Sequence, residues 1–143
     1  HNGTFNANPL SAAAGVQALE LVAHTPVNDT ANARADQLKA GLNDLLTRME
    51  VQGCVTGVAS LIFLRLGLDP EKADPETNPN ILQDLREAAN PARDQQMSLA
   101  LMNHGVDSGN RFILMSAHSE QDINDTVDAA GKALTEVREQ GLI

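Results

Sequence analysis

Between positions 10 and 22 only Ser11, Gln17 and Glu20 carry polar side chains. The stretch follows Asn8-Pro9, which reads as a helix start. Asn caps the free N–H groups of a first turn, and Pro is tolerated at the first helical position because its missing N–H is not needed there. A helix apolar on most faces is usually buried on most faces. A chain of 143 residues is hard pressed to bury one unless a larger body surrounds it. The chain also begins with His1 rather than Met. The expectation is a piece of something longer, or a start that has been processed.

Pro26 and Asn28 break the pattern, and a second helix is expected after Asp29-Thr30. Its stripe is Ala31, Ala35, Leu38, Leu42, Leu45 and Met49, at spacings of three and four. Gly53 is expected to close it with a left-handed cap. Positions 54–56 and 60–66 read as two strands around Gly57, the second interrupted by Arg65. Positions 68–79, with Pro70, Pro75 and Pro79 amid mixed charge, read as an exposed loop. Asn80 is placed to cap a helix through Ala89, and Asn90 a second one up to Asn103, separated from it by Pro91. Positions 111–116 form a short apolar strand. Ser119 and Asp122 resemble a capping box, opening a last helix with its stripe at Ile123, Val127, Ala130, Leu134 and Val137. Gly141 follows as its C-terminal stop. The order predicts an α+β layer, a short sheet of about three strands covered by helices on one face.

Composition narrows the function classes. The net charge is −9, with no Trp or Tyr and 3 Phe. That argues against a nucleic-acid partner, which needs basic groups for phosphates and aromatics for bases. No apolar run approaches the roughly 20 residues needed to span a bilayer, and positions 1–9 lack the pattern of a secretory leader. One cysteine, Cys54, excludes an internal disulfide framework or a multi-Cys zinc site and fits a cytoplasmic, reducing setting.

Candidate chemistry is sparse. His1, His24, His104 and His118 form no metal-ligand pair, so no metal site is expected; His118 stands out because it follows a strand and precedes a helix. Cys54 reads as a small buried thiol. Lys39, Lys72 and Lys132 lie on polar helix faces or in the charged loop. None has the desolvated setting that lowers the pKa of a Schiff-base lysine. The segment Gly3-Thr4 offers close backbone approach and a hydroxyl just before a helix N-terminus, a combination able to bind phosphate but more often a simple turn.

The string His1-Asn2-Gly3-Thr4-Phe5-Asn6-Ala7-Asn8-Pro9-Leu10-Ser11-Ala12-Ala13-Ala14-Gly15 resembles the H-x-G-T-F-x-x-N-P-L-x-x-A-A-G signature of class III pyridoxal-phosphate-dependent aminotransferases. The likeness is strongest to the glutamate-1-semialdehyde 2,1-aminomutase branch. The tail from Phe112 to Ile123 is similar to the branch's segment opening the last helix, and positions 57–66 match its strand more loosely. Ser119 stands where the branch has Thr, and Asn124 where it has Asp.

The resemblance implies a C-terminal part of a fold-type-I enzyme, with positions 1–25 ending the large cofactor domain and its linking helix, and 26–143 forming the small α+β domain. It implies pyridoxal 5'-phosphate as cofactor of the whole protein, a homodimer, and a small amino-acid-like or aldehyde substrate. Gly3 and Thr4 would contact the cofactor phosphate of the neighbouring subunit, and Arg111 the substrate carboxylate. The family's Schiff-base lysine lies upstream of the first motif, so no catalytic residue is expected here and the chain alone should not transaminate. The competing expectation is a non-catalytic α+β domain for ligand binding or dimerisation.

Overall fold

The computed structural model describes Gly3 and residues 8–143. In chain order its elements are α1 (Pro9–His24), α2 (Val27–Arg48), β1 (Gly53–Val58), β2 (Leu61–Leu66), a 3-10 turn (Pro70–Lys72), α3 (Ile81–Ala88), α4 (Pro91–Asn103), β3 (Arg111–Ile113) and α5 (Glu120–Glu139). The sheet is antiparallel in the order β1-β2-β3. Side chains alternate between the faces of a strand. Ile62, Leu64 and Leu66 therefore point into the core while Leu61, Phe63 and Arg65 share the other face.

The core lies between the sheet and the helices. Leu38 and Leu42 of α2, Met97 and Leu101 of α4, and Leu134 and Val137 of α5 are almost fully buried against Ile62, Leu64 and Phe112. Ala31, Ala35, Leu38, Leu42 and Leu45 are buried on α2, and Ile123, Ala130, Leu134 and Val137 on α5, as the anticipated stripes require; Met49, expected to end the first stripe, is the residue after α2 and is half-buried, as is Val127. This is the α+β layer that the sequence predicts.

Several boundaries differ. The α2 helix starts at Val27, one residue after Pro26, and Thr30 N–H donates to the Pro26 carbonyl at 2.8 Å. Asp29 consequently lies inside the first turn, where its charge complements the helix dipole. The left-handed cap of α2 is Glu50 (φ 53°), not Gly53. Val51 N–H reaches back to the Leu46 carbonyl and Glu50 N–H to that of Thr47, the bond pair of a Schellman motif. Gly53 instead begins β1, where a Cβ would meet the Arg65 carbonyl at 2.8 Å. Gly57 lies within β1, paired with Ile62, and the hairpin turns at Ala59 and Ser60. The strand expected over 111–116 ends at Ile113, because Met115 N–H donates to His118 Nδ1 at 3.1 Å and the chain leaves the ladder.

Within this chain α1 is not buried. It starts as expected, with Asn8 as its cap and Pro9 at its first position, but none of its residues is buried. Leu10 and Leu19 are 79% and 70% exposed.

Candidate functional site

Arg111 opens β3 and pairs across the ladder with Phe63 of β2. It lines a cleft of about 420 Å³ whose walls come from three separate parts of the chain: the end of β2 (Phe63, Arg65, Leu66), α3 and the start of α4 (Leu85, Ala88, Arg93), and the approach to β3 (Ser108, Gly109, Asn110). The last segment is held tightly. Gly109 and Asn110 both have positive φ, Arg111 N–H donates to the Ser108 carbonyl at 2.9 Å, and the Asn110 amide donates to the Asp94 carbonyl at 2.9 Å. The backbone at position 111 is thereby held at the cleft edge, with the Arg111 side chain exposed.

Arg93 forms the floor. Its residue is 8% exposed, and a buried charge needs partners. Nη2 donates to the carbonyls of Leu66 (2.8 Å) and Ala88 (2.9 Å) and to Asp94 Oδ1 (3.0 Å). One side chain thus ties β2, α3 and α4 together, and its charge is answered by Asp94. Arg65 is different. Its guanidinium lies 4.5 Å from the centre of the Phe63 ring, a cation–π distance, yet its Nε is buried with no hydrogen-bond partner. Ser108 Oγ and Asn110 Oδ1 are buried and unpartnered too. Among the described residues neither Arg65 nor Arg111 has a carboxylate within salt-bridge range. The cleft therefore holds two cations free to take an anion.

A second cleft of about 490 Å³ adjoins it, lined by Arg111, Phe112, His118, Asp122 and Thr126 among others. His118 is engaged there: Nδ1 accepts from Met115 N–H, and its carbonyl accepts from Arg34 Nε at 3.1 Å. The ring closes a turn. Asp122 accepts from Ser119 N–H at 2.7 Å and from Ser119 Oγ at 2.8 Å. These bonds hold its carboxyl below the usual carboxylate range, with His118 adding a smaller effect.

Gly3 is exposed and lines neither cleft. Thr4 falls outside the described residues. The first turn of α1 has no spare donor: Pro9 has no N–H, the N–H groups of Leu10 and Ser11 both donate to Asn8 Oδ1 (2.9 and 3.3 Å), and that of Ala12 donates to the Asn8 carbonyl. The N-terminus of α1 is not itself an anion cradle.

No family model matches the chain. It is 30% identical over 142 residues to a glutamate-1-semialdehyde 2,1-aminomutase from Methanocella arvoryzae, covering 95% of this chain and 31% of that enzyme. The corresponding protein of Methanopyrus kandleri is 28% identical over 136 residues, covering 92% and 30%. An omega-transaminase from Sphaerobacter thermophilus superposes with a TM-score of 0.78 at 28% identity, over 96% of this chain and 30% of that one. The chain is a relative of the class III pyridoxal-phosphate aminotransferases. Its α+β fold matches their small C-terminal domain. A glutamate-1-semialdehyde aminomutase from Pseudomonas aeruginosa shares that fold with a TM-score of 0.64 at 19% identity. The chain spans about a third of the length of the curated relatives it matches.

The remaining candidates in this aminotransferase relative have structural roles. Cys54 is buried and free, and burial pushes its thiol above the ordinary value, with nearby Arg65 acting against that. A thiol kept protonated is a packing group. Lys72 is exposed and sits 3.3 Å from Asp84. That hydrogen bond raises the lysine further, the opposite of what a Schiff-base lysine needs. Lys132 is exposed and Lys39 half-buried. Among the described residues no group of His, Cys, Asp and Glu is placed to hold a metal, and no helix is long and apolar enough to cross a membrane. The cleft residues Arg65, Arg93, Ser108 and Asn110 were not singled out as site residues from the sequence. Arg65 had left one sign, a charge interrupting an otherwise apolar strand.

Proposed function

We propose that this chain is the C-terminal region of a pyridoxal-phosphate-dependent aminotransferase or aminomutase. Residues 1–25 complete the large domain and its linking helix, and 26–143 form the small domain. The observation that carries the reading is the likeness of nearly the whole chain, in sequence and in fold, to about 30% of an omega-transaminase. The exposed apolar side chains of α1 support it, since Leu10, Val16 and Leu19 call for the cover that a larger domain supplies.

Pyridoxal phosphate, when bound, supplies an electron sink for carbanion chemistry. The described residues do not hold it by themselves: they offer no desolvated lysine, and the first turn of α1 has no free donor. The contribution proposed for this chain is narrower. Gly3 and Thr4 reach the cofactor phosphate of the neighbouring subunit in a homodimer, through backbone approach and a hydroxyl. Arg111 orients the carboxylate of a small substrate. It is exposed, its backbone is held by the tight preceding turn, and it has no acidic partner among the described residues.

The test is cofactor titration of the longer protein. Thr4→Val should weaken cofactor affinity by about 1–3 kcal/mol, the usual effect of losing a hydrogen bond to a charged group; unchanged affinity removes the phosphate role. The 143-residue chain should show no transaminase activity. A second reading, a non-catalytic dimerisation domain, is favoured by the same exposed face of α1. Finding a long segment with a Gly-rich lysine loop encoded upstream of His1 would overturn it, and a start codon just before His1 would support it.

A further inference from the structure

The geometry points to a proton-operated latch in the turn between β3 and α5, worked by the ring of His118. The last cross-strand bond lies just past β3, where Leu114 N–H donates to the Ser60 carbonyl at 2.8 Å. Residues 115–118 then form a tight turn closed by two bonds. His118 N–H donates to the Met115 carbonyl at 3.1 Å, and Met115 N–H donates to His118 Nδ1 at 3.1 Å. The second bond sets the state of the ring. A ring nitrogen that accepts a hydrogen bond carries no proton, so the neutral ring has its hydrogen on Nε2. A second proton must go to Nδ1. Two N–H groups then face each other, and the turn loses one of its two closures. The latch depends on the turn alone, not on what the longer protein binds.

The surroundings let this bond act as a switch. Among the described residues Nδ1 is the only acceptor of the Met115 N–H. Residues 115–117 are exposed, while Leu114 before them and Ile123 after them are buried in the core. Opening is therefore confined to the turn and removes no core packing. The ring also stands on the rim of the second cleft, beside Phe112 and Leu114. One proton thus places a positive charge on that rim and frees the segment that leads out of its wall. Charged groups face the ring from each neighbouring element. Arg34 of α2 donates to the His118 carbonyl at 3.1 Å and is paired with Glu120 of α5 at 3.1 Å. Asp122 of α5, Asp107 on the approach to β3 and Arg111 of β3 line the same cleft. The carboxylates favour the protonated ring, and the two arginines oppose it.

The test is NMR of the 143-residue chain between about pH 5 and pH 8, the range in which histidine changes charge. The ring is followed through its carbon-bound protons. The turn is followed through the protection of the Met115 amide from solvent exchange, corrected for the intrinsic effect of pH. As the ring gains its proton, that protection is expected to fall about fivefold or more, the scale of one hydrogen bond, with the same midpoint as the ring. His118→Asn puts an amide oxygen in the place of Nδ1. That oxygen does not titrate, so the amide should stay protected throughout. His118→Phe removes the acceptor and should leave the amide unprotected even at neutral pH. Asp122→Asn removes a charge that favours the protonated ring and should move the midpoint to lower pH. Well-dispersed spectra of each variant show that it has folded. The latch is overturned if Met115 protection does not change as His118 titrates, or if His118→Asn still switches. It is overturned too if the change vanishes in Asp122→Asn, which assigns it to the capping box. A midpoint that follows His104 instead assigns it to the tie between α4 and α5 that His104 Nε2 makes with Glu136 at 2.7 Å.

Discussion

Gly67 and Arg93 are packed so closely that a Cβ on the glycine would lie 2.7 Å from the arginine's Nη1. Gly67 also has φ 77°, in the left-handed region where a side chain is strained. The guanidinium cannot easily give way, because Nη2 is bonded to the Leu66 and Ala88 carbonyls. Gly67→Ala is therefore expected to destabilise the chain by about 1–3 kcal/mol, read from urea unfolding. A loss below about half a kcal/mol would mean that Arg93 moves freely.

Arg93 itself joins three elements at a site that is nearly closed to solvent. Arg93→Met keeps much of the packing but strands the carbonyls of Leu66 and Ala88. Each buried acceptor left without a partner costs about 1–3 kcal/mol. The variant should lose about 2–4 kcal/mol of unfolding free energy. Hydrogen exchange should report the loss first at the end of β2 and the start of α4.

Much of this fold is legible in the residue pattern. The stripes of α2 and α5, the caps at Asn8, Asn90 and Ser119, and the stop at Gly141 are local, set by side chains within a few positions of one another. The cleft is not local. Arg65, Arg93 and Asn110 meet only because β2 pairs with β3 and α4 packs beneath them, and no spacing along the chain encodes that. The cap at Glu50 was misplaced for a different reason: glycine is the usual occupant of a left-handed position, and Gly53 drew the assignment although the strand needed it.

That position gives a stabilising change. Glu50 holds φ 53° in the Schellman turn, a conformation that costs an ordinary residue roughly 1–2 kcal/mol. Glu50→Gly should raise stability by about 0.5–1 kcal/mol after the extra chain entropy of glycine is counted. Its unfolding midpoint should increase while the denaturant slope stays the same.

At the other end of the core, the capping box of α5 makes stability depend on pH. Asp122 is held below its ordinary value chiefly by the Ser119 N–H and hydroxyl. A carboxyl with a lowered folded-state value stabilises the fold above its unfolded value, near 3.9. That contribution is lost as the pH falls through the lower folded value. Acid titration of unfolding should show stability dropping below about pH 4, with a shallower drop in Asp122→Asn. Ser119→Ala removes the two bonds of the hydroxyl, leaves the backbone N–H bond to Asp122 in place, and should cost about 1 kcal/mol at neutral pH.

The last prediction concerns α1 and the proposed division of the chain. None of its residues is buried, and Leu10, Val16, Leu19, Leu21 and Val22 are all exposed. Burial of apolar surface is what stabilises a helix in a folded protein, so α1 adds little to the core described here. A chain beginning at Pro26 should unfold at the same denaturant concentration as the full chain, and with the same cooperativity. In the longer protein the expectation reverses. There Leu19→Asp should destabilise by about 2 kcal/mol or more, since it places a charge where the large domain would cover an apolar side chain. If removing residues 1–25 unfolds the remainder, α1 is part of the small domain's own core and the division at 25 is misplaced.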